Sequence, residues 1–265
     1  MEVNLVTATA VCTRIDELSL CDYYIDNMNA ITKEELAKMI DHTQLSPLAG
    51  RKDIEKICSE AKKYGFASVC VNPVHVALVA SLLAGSDVKV CTVVGFPLGA
   101  DAAEDKAFQA ENAVKNGAGE IDMVIDIGAA KEGRFDDLER DIFCVVQAVR
   151  EAGKKVQHST LVKVILETCY LSDEEIMEAC KSAKKAGADF VKTSTGFGSP
   201  KDTDGRSAFN GACARVVRLM RQTVGQDMGL KASGGIRSAE TAREMIEAGA
   251  NRIGTSSGLK IMEEW

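Results

Sequence analysis

The chain has little histidine, no paired-cysteine motif and no long apolar run. Its three histidines are His42, His75 and His158, and no two share the spacing of metal ligands. His42 follows Asp41 and reads as a locally hydrogen-bonded residue, His75 as part of a helix, and His158 as part of a polar loop. No metal site is expected. The cysteines stand at 12, 21, 58, 70, 91, 144, 169, 180 and 213, an odd and scattered set without a C-x-x-C. That pattern argues against a disulfide framework or a zinc knuckle, and for reduced thiols in the cytoplasm. No apolar stretch approaches a membrane span, and Met1-Glu2-Val3-Asn4 is acidic where an export signal is basic. A basic surplus is also missing. The formal net charge is −7 and the isoelectric point about 5.2, so neither a nucleic acid nor a membrane is an expected partner.

What is present is a repeat. Apolar residues make up 46% of the 265 and charged residues 27%, the balance of a soluble globular protein. Residues 1–30 are weakly patterned and are read as an N-terminal extension without an assigned role. From about residue 31 to 265, helical patterns alternate with short apolar segments. The segments are Met39–Thr43, Phe66–Val71, Val88–Val94, Glu120–Ile125, Leu161–Glu167, Phe190–Thr193, Gly229–Ala232 and Arg252–Thr255. Unalternating apolar strands separated by helices predict a buried parallel sheet. Eight of them predict a closed (β/α)8 barrel in one domain.

Four helices end in nearly the same phrase: Lys63-Tyr64-Gly65-Phe66, Lys115-Asn116-Gly117-Ala118, Lys185-Ala186-Gly187-Ala188 and Glu247-Ala248-Gly249-Ala250. Glycine just past a helix supplies its left-handed cap. Counting five residues on from each glycine gives Cys70, Asp122, Lys192 and Gly254. Equivalent positions on different strands point the same way and sit at similar depth. Asp122 and Lys192 are therefore expected to face one cavity.

Lys192 lies in Phe190-Val191-Lys192-Thr193-Ser194-Thr195-Gly196-Phe197, and Lys231 in Leu230-Lys231-Ala232-Ser233-Gly234-Gly235 on the next strand. A buried ammonium loses hydration, and a second ammonium beside it favours proton loss. Both effects turn a lysine into a nucleophile toward carbonyls. Asp122 is the group expected to stabilise the remaining cation or to move protons. The competing reading is a Lys–Asp–Lys network with structural work only. Lys163, also within a strand, is expected to support the lysines. Glycine-rich loops follow the last two strands, at Ser233-Gly234-Gly235 and Gly254-Thr255-Ser256-Ser257-Gly258. Barrels often bind phosphate with backbone N–H groups from those two loops.

Eight phrases together resemble the deoxyribose-phosphate aldolase family. They are Met39-Ile40-Asp41-His42-Thr43, Val69-Cys70-Val71-Asn72-Pro73, Val93-Val94-Gly95-Phe96-Pro97-Leu98-Gly99, Glu120-Ile121-Asp122-Met123-Val124, Leu161-Val162-Lys163-Val164-Ile165-Leu166-Glu167-Thr168, the Phe190–Phe197 stretch, Lys231-Ala232-Ser233-Gly234-Gly235-Ile236-Arg237, and Arg252-Ile253-Gly254-Thr255-Ser256-Ser257-Gly258. The resemblance implies reversible cleavage of 2-deoxy-D-ribose 5-phosphate to D-glyceraldehyde 3-phosphate and acetaldehyde, a step in deoxyribonucleotide catabolism. It implies Lys192 as Schiff-base former, Lys231 as the residue that lowers its pKa and assists proton transfer, and Asp122 as proton donor and acceptor working through water. It places phosphate on Gly196, Gly234, Gly235, Ser256 and Ser257, with Thr195 beside Gly196 in the substrate floor. It implies no metal or organic cofactor, because a protonated imine is the electron sink. It also implies a homo-oligomer, dimer or tetramer.

Two features depart from the family pattern: the extension at 1–30, and a C-terminus at Trp265 without the tyrosine-bearing tail of some members. The polar Gly198–Gly211 stretch is longer than usual. Other lysine-dependent sugar-phosphate aldolases or transaldolases, and a non-catalytic phosphate-binding barrel, are the alternatives.

Overall fold

The computed structural model describes residues 31–201, 204 and 208–265. The expected extension at 1–30 and part of the Gly198–Gly211 stretch lie outside the described residues. Lys33–Trp265 makes one compact unit. Its eight strands are β1 (Ile40–Gln44), β2 (Ser68–Val71), β3 (Lys89–Val94), β4 (Glu120–Val124), β5 (Leu161–Ile165), β6 (Phe190–Lys192), β7 (Gly229–Ser233) and β8 (Arg252–Thr255). Each pairs in parallel with the next, and β8 pairs with β1, closing the barrel. The expected (β/α)8 fold is the observed one.

The helices are α1 (Lys33–Ala37), α2 (Arg51–Tyr64), α3 (Val76–Leu83), α4 (Ala103–Lys115), α5 (Ile127–Lys131), α6 (Phe135–Val156), α7 (Asp173–Lys185), α8 (Ala214–Val224), α9 (Ala239–Glu247) and α10 (Gly258–Glu264). The short α5 and α10 escape the sequence pattern, because neither has room for a full apolar periodicity. The α6 helix runs through Gly153 to Val156. A Cβ at Gly153 would meet the His158 carbonyl oxygen at 2.5 Å, so glycine here serves close packing and not helix termination. The predicted fifth strand ends early, at Ile165, because Glu167 turns to φ 54. No helix among the described residues is long and apolar enough to cross a membrane.

Strand register sorts the barrel interior into layers. Asp122 pairs with Lys163, and Lys163 with Phe190, two residues before Lys192. The same two-residue step leads from Cys70 to Asp122, from Lys192 to Gly254 and from Gly254 back to Cys70. Strand tilt in an eight-stranded barrel produces this stagger, and it brings residues of alternate strands to one height. Cys70, Asp122, Lys192 and Gly254 therefore form one layer, from the even strands. Asp41, Cys91, Lys163 and Lys231 form the layer beneath it, from the odd strands, by the same step. Bulky aliphatic residues usually fill such layers. Here neither layer holds one. The aliphatic core lies instead between strands and helices, where Val69, Ile121, Val164, Val191, Leu230 and Ile253 are fully buried.

Candidate active site

Buried charge demands partners, and the two central layers supply them to one another. Asp122 is fully buried at the middle of β4. Its Oδ2 accepts hydrogen bonds from Lys192 Nζ at 2.8 Å and Lys231 Nζ at 2.7 Å. Its Oδ1 accepts from Lys163 Nζ at 2.9 Å. Asp41, from the first strand, lies within 2.5 Å of Lys231 and 3.4 Å of Lys163 and accepts from Arg252 at 2.6 Å and from Ser68 at 2.6 Å. Glu120, one layer lower, takes Lys163 at 2.5 Å and the Arg252 guanidinium at 3.1 Å. Four cations thus meet three carboxylates in direct contact.

Burial by itself would raise the Asp122 carboxyl, but Lys163, Lys192 and Lys231 outweigh it and hold that group well below the ordinary carboxylate range. Asp41 behaves alike: burial pushes upward, and Lys163, Lys231 and Arg252 pull it below its usual value. Burial works to discharge Lys231, yet Asp122 and Asp41 hold its pKa above that of an ordinary lysine. Burial works to discharge Lys163 as well, and the same pair of carboxylates holds its pKa well above that of an ordinary lysine. The three lysines are not equivalent. Lys163 touches three carboxylates and Lys231 two, whereas Lys192 touches Asp122 alone.

Room for Lys231 is made by Gly254. A Cβ there would stand 2.8 Å from Lys231 Cε and 2.9 Å from Ser233 Cβ, inside contact distance. Gly254→Ala is expected to cost about 1–3 kcal/mol of stability, as overpacking of a filled core does. It should also reduce activity, since Lys231 must leave one of its two carboxylates. Thermal denaturation beside a steady-state assay checks both, and a variant with unaltered melting and turnover would contradict the close fit.

A cavity of about 450 Å³ opens at the C-terminal ends of the strands, and of the three lysines Lys192 alone lines it. One wall comes from the loop after β1, including Leu45, Ser46 and Pro47. The opposite wall carries Thr195, Gly196, Gly234, Gly235, Arg237 and Ser256. Among the described residues, no acceptor takes the backbone N–H of Gly196, Gly235 or Ser256. Gly234 has φ 91 and a Cβ there would lie 3.0 Å from the Gly211 Cα, while a Cβ at Gly211 would meet the Gly234 carbonyl oxygen at 2.4 Å, so glycines at both places let two loops touch. Of the residues expected to carry phosphate, only Ser257 is away from this cavity. It precedes α10 at the N-cap position, and its N–H donates to Thr255 Oγ1 at 2.9 Å.

The Cys70, Cys91 and Asp122 ligand atoms lie within 4.8 Å of one another, a spacing a metal ion accepts. Lysine ammonium groups already occupy both Asp122 oxygens, so the donor set is one of cations and not of open ligands. His42 meets Glu60 of α2 at 2.8 Å, on the outer side of the barrel. Sequence reasoning missed Asp41, Glu120, Arg252 and Arg237. Arg237 stood in the glycine-loop phrase, three residues past Gly234, and its charge was a usable signal. Asp41 was overlooked beside His42.

Residues 35–264 match the model of the DeoC/LacD family of aldolases. A deoxyribose-phosphate aldolase of Thermoanaerobacter pseudethanolicus is 56% identical over 230 residues, covering 87% of this chain and 96% of that one. One of Streptococcus gordonii is 58% identical over 229 residues, covering 86% and 96%. The solved deoxyribose phosphate aldolase of Aeropyrum pernix, described as tetrameric, superposes with a TM-score of 0.78 at 33% identity, over 94% of this chain and 97% of that one. With a closed barrel, a lysine at the floor of its upper cavity and this agreement along nearly the whole described length, the chain belongs to the DeoC/LacD aldolase family.

Proposed function

We propose that the protein cleaves 2-deoxy-D-ribose 5-phosphate reversibly to D-glyceraldehyde 3-phosphate and acetaldehyde, through a Schiff base on Lys192. The observation that carries this is the charge balance of the barrel centre. Four cations in contact with three carboxylates leave one positive charge in surplus, and loss of one proton restores balance. Of the three lysines Lys192 has the fewest carboxylate contacts and alone reaches the cavity, so it is the amine placed to attack a carbonyl there.

Neutral Lys192 attacks the C1 aldehyde carbon of the open-chain sugar. The carbinolamine loses water to give a protonated imine. Deprotonation of the C3 hydroxyl lets the C2–C3 bond break, with its electron pair drawn into the imine. Glyceraldehyde 3-phosphate leaves, C2 of the enamine takes up a proton, and water releases acetaldehyde. Lys231, held charged by Asp122 and Asp41, shares Asp122 Oδ2 with Lys192 and is the proton donor. Asp122 is a firm anion that bridges both lysines by hydrogen bonds, and it reaches substrate hydroxyls through water. The free N–H groups of Gly196, Gly235 and Ser256, with Arg237, receive the phosphate.

Acetaldehyde release from deoxyribose phosphate tests the substrate, and borohydride trapping tests the intermediate. Reduction during turnover should add mass to one peptide, the one containing Lys192. Release without any adduct would remove the Schiff base, and no release above background would remove the substrate. We further propose a homo-oligomer in the cytoplasm. The tetrameric Aeropyrum relative supports the first, and the seven free thiols among the described residues support the second. Sedimentation should return at least twice the 28.4 kDa chain mass, and a monomer at assay concentration would refute assembly.

A further inference from the structure

We propose that Glu167 is a positioning residue for the phosphate cup: its buried carboxylate clamps Thr195 and so fixes the free N–H of Gly196 toward the ligand. The proposal rests on the phosphate reading of that cavity.

Glu167 follows β5 and is 1% exposed. It has φ 54, in the left-handed region that residues other than glycine rarely adopt. Such an outlier survives only where its surroundings over-determine it, and it points to a functional constraint. The backbone pairing of β5 with β6 continues on either side of it. Leu166 N–H donates to the Lys192 carbonyl at 3.0 Å, and Thr168 N–H to the Thr193 carbonyl at 3.0 Å. Beyond Thr193 the ladder stops, and the Glu167 side chain takes over its work. Thr195 N–H donates to Oε1 at 3.2 Å and Oε2 at 3.3 Å, and the Thr195 hydroxyl donates to Oε2. That hydroxyl accepts from Phe197 N–H at 2.9 Å.

Four linked hydrogen bonds therefore hold the turn 195–197, with Gly196 at its apex at φ 85. Cys169 Sγ, at 3.8 Å, is the other group on the carboxylate. Among the described residues no lysine bonds to it; burial pushes its carboxyl upward, against the Thr195 hydrogen bonds and the charge of Lys192, which pull it down. A buried carboxylate this near an anion cup would repel the ligand unless it gave something in return. What it gives is geometry: two fixed acceptors that no short polar side chain at this position could supply. A backbone amide aimed at a phosphate must be held in place before the ligand arrives.

The test compares phosphorylated with unphosphorylated 2-deoxy-D-ribose, and adds inorganic phosphate as a competitor. Glu167→Leu removes both acceptors, and Glu167→Gln keeps one. In Glu167→Leu the loss in kcat/KM on the phosphorylated sugar should exceed that on 2-deoxy-D-ribose by about tenfold or more, mostly through KM, in line with a lost hydrogen bond to a charged group. Inorganic phosphate should compete more weakly by a similar factor. Glu167→Gln should fall between, which preserves the test if Glu167→Leu fails to fold. Equal losses on both sugars, or unaltered phosphate competition in both variants, would overturn the positioning role. If wild-type protein is not inhibited by inorganic phosphate and does not prefer the phosphorylated sugar, the cup itself is refuted, and the Glu167 assignment with it.

Discussion

Lys192→Met abolishes turnover and leaves the fold intact. The expected loss in kcat/KM is about ten-thousand-fold or more, equivalent to roughly 5 kcal/mol of transition-state stabilisation, because no covalent intermediate forms without the amine. Borohydride then adds no mass to the peptide. Stability should behave differently from activity. Asp122 keeps Lys163 and Lys231 when Lys192 is gone, so no carboxylate is left alone. The remaining three cations match three carboxylates, and methionine fills the volume. The melting temperature should stay within a few degrees of wild type or rise. A protein that keeps a tenth of its turnover would exclude Lys192 as nucleophile. One that unfolds would show that the ammonium is needed for structure.

Lys231→Leu should lower kcat/KM at pH 7 by about a hundredfold or more, as expected for a lost general acid. The shape of its pH profile is the sharper observable. With Lys231 removed, Lys163, Lys192 and Arg252 face Asp41, Asp122 and Glu120, and the cluster balances only with Lys192 protonated. Removing a neighbouring cation removes the repulsion that favours the neutral amine. More alkaline solution is then needed to produce that amine, so the acidic limb of the kcat/KM profile moves to higher pH. Part of the lost rate should return as pH rises. Inorganic phosphate should still compete, since Lys231 does not line the cavity. An acidic limb that stays in place while the rate falls would leave Lys231 a proton donor without electrostatic influence on Lys192.

The barrel was legible because its strands are short, apolar and regularly capped. The capping glycines carried more than boundaries. Gly65, Gly117, Gly187 and Gly249 precede β2, β4, β6 and β8, and a constant count from each lands on a single interior layer. Asp122 and Lys192 could be placed together on that basis alone. The odd strands are not introduced by the same phrase. Their layer, with Asp41 and Lys163, depends on stagger between neighbours, which only the hydrogen-bond ladder defines. Asp41 therefore looked like a companion of His42. In the barrel the two point to opposite faces, one to the lysines and one to Glu60. Glu167 was hidden for another reason. Its neighbours Leu166 and Thr168 suit a continuing strand, and nothing local marks the left-handed turn between them.

The contacts of Asp41 bear on how the molecule opens. β1 and β8 meet at the seam where the sheet closes on itself, and Asp41 spans it to Arg252 on β8 and Lys231 on β7. In a chain held only by apolar packing, the first strand is a natural place for fraying. Here, lifting β1 away takes from Arg252 and Lys231 one of the two carboxylates that each touches, leaving Glu120 and Asp122 to balance them in a low-dielectric interior. Partial opening at the seam is then nearly as costly as opening the whole barrel. Amides of β1 and β8 should exchange with solvent at the rate of global unfolding, and the terminal strand behaves as part of one cooperative unit.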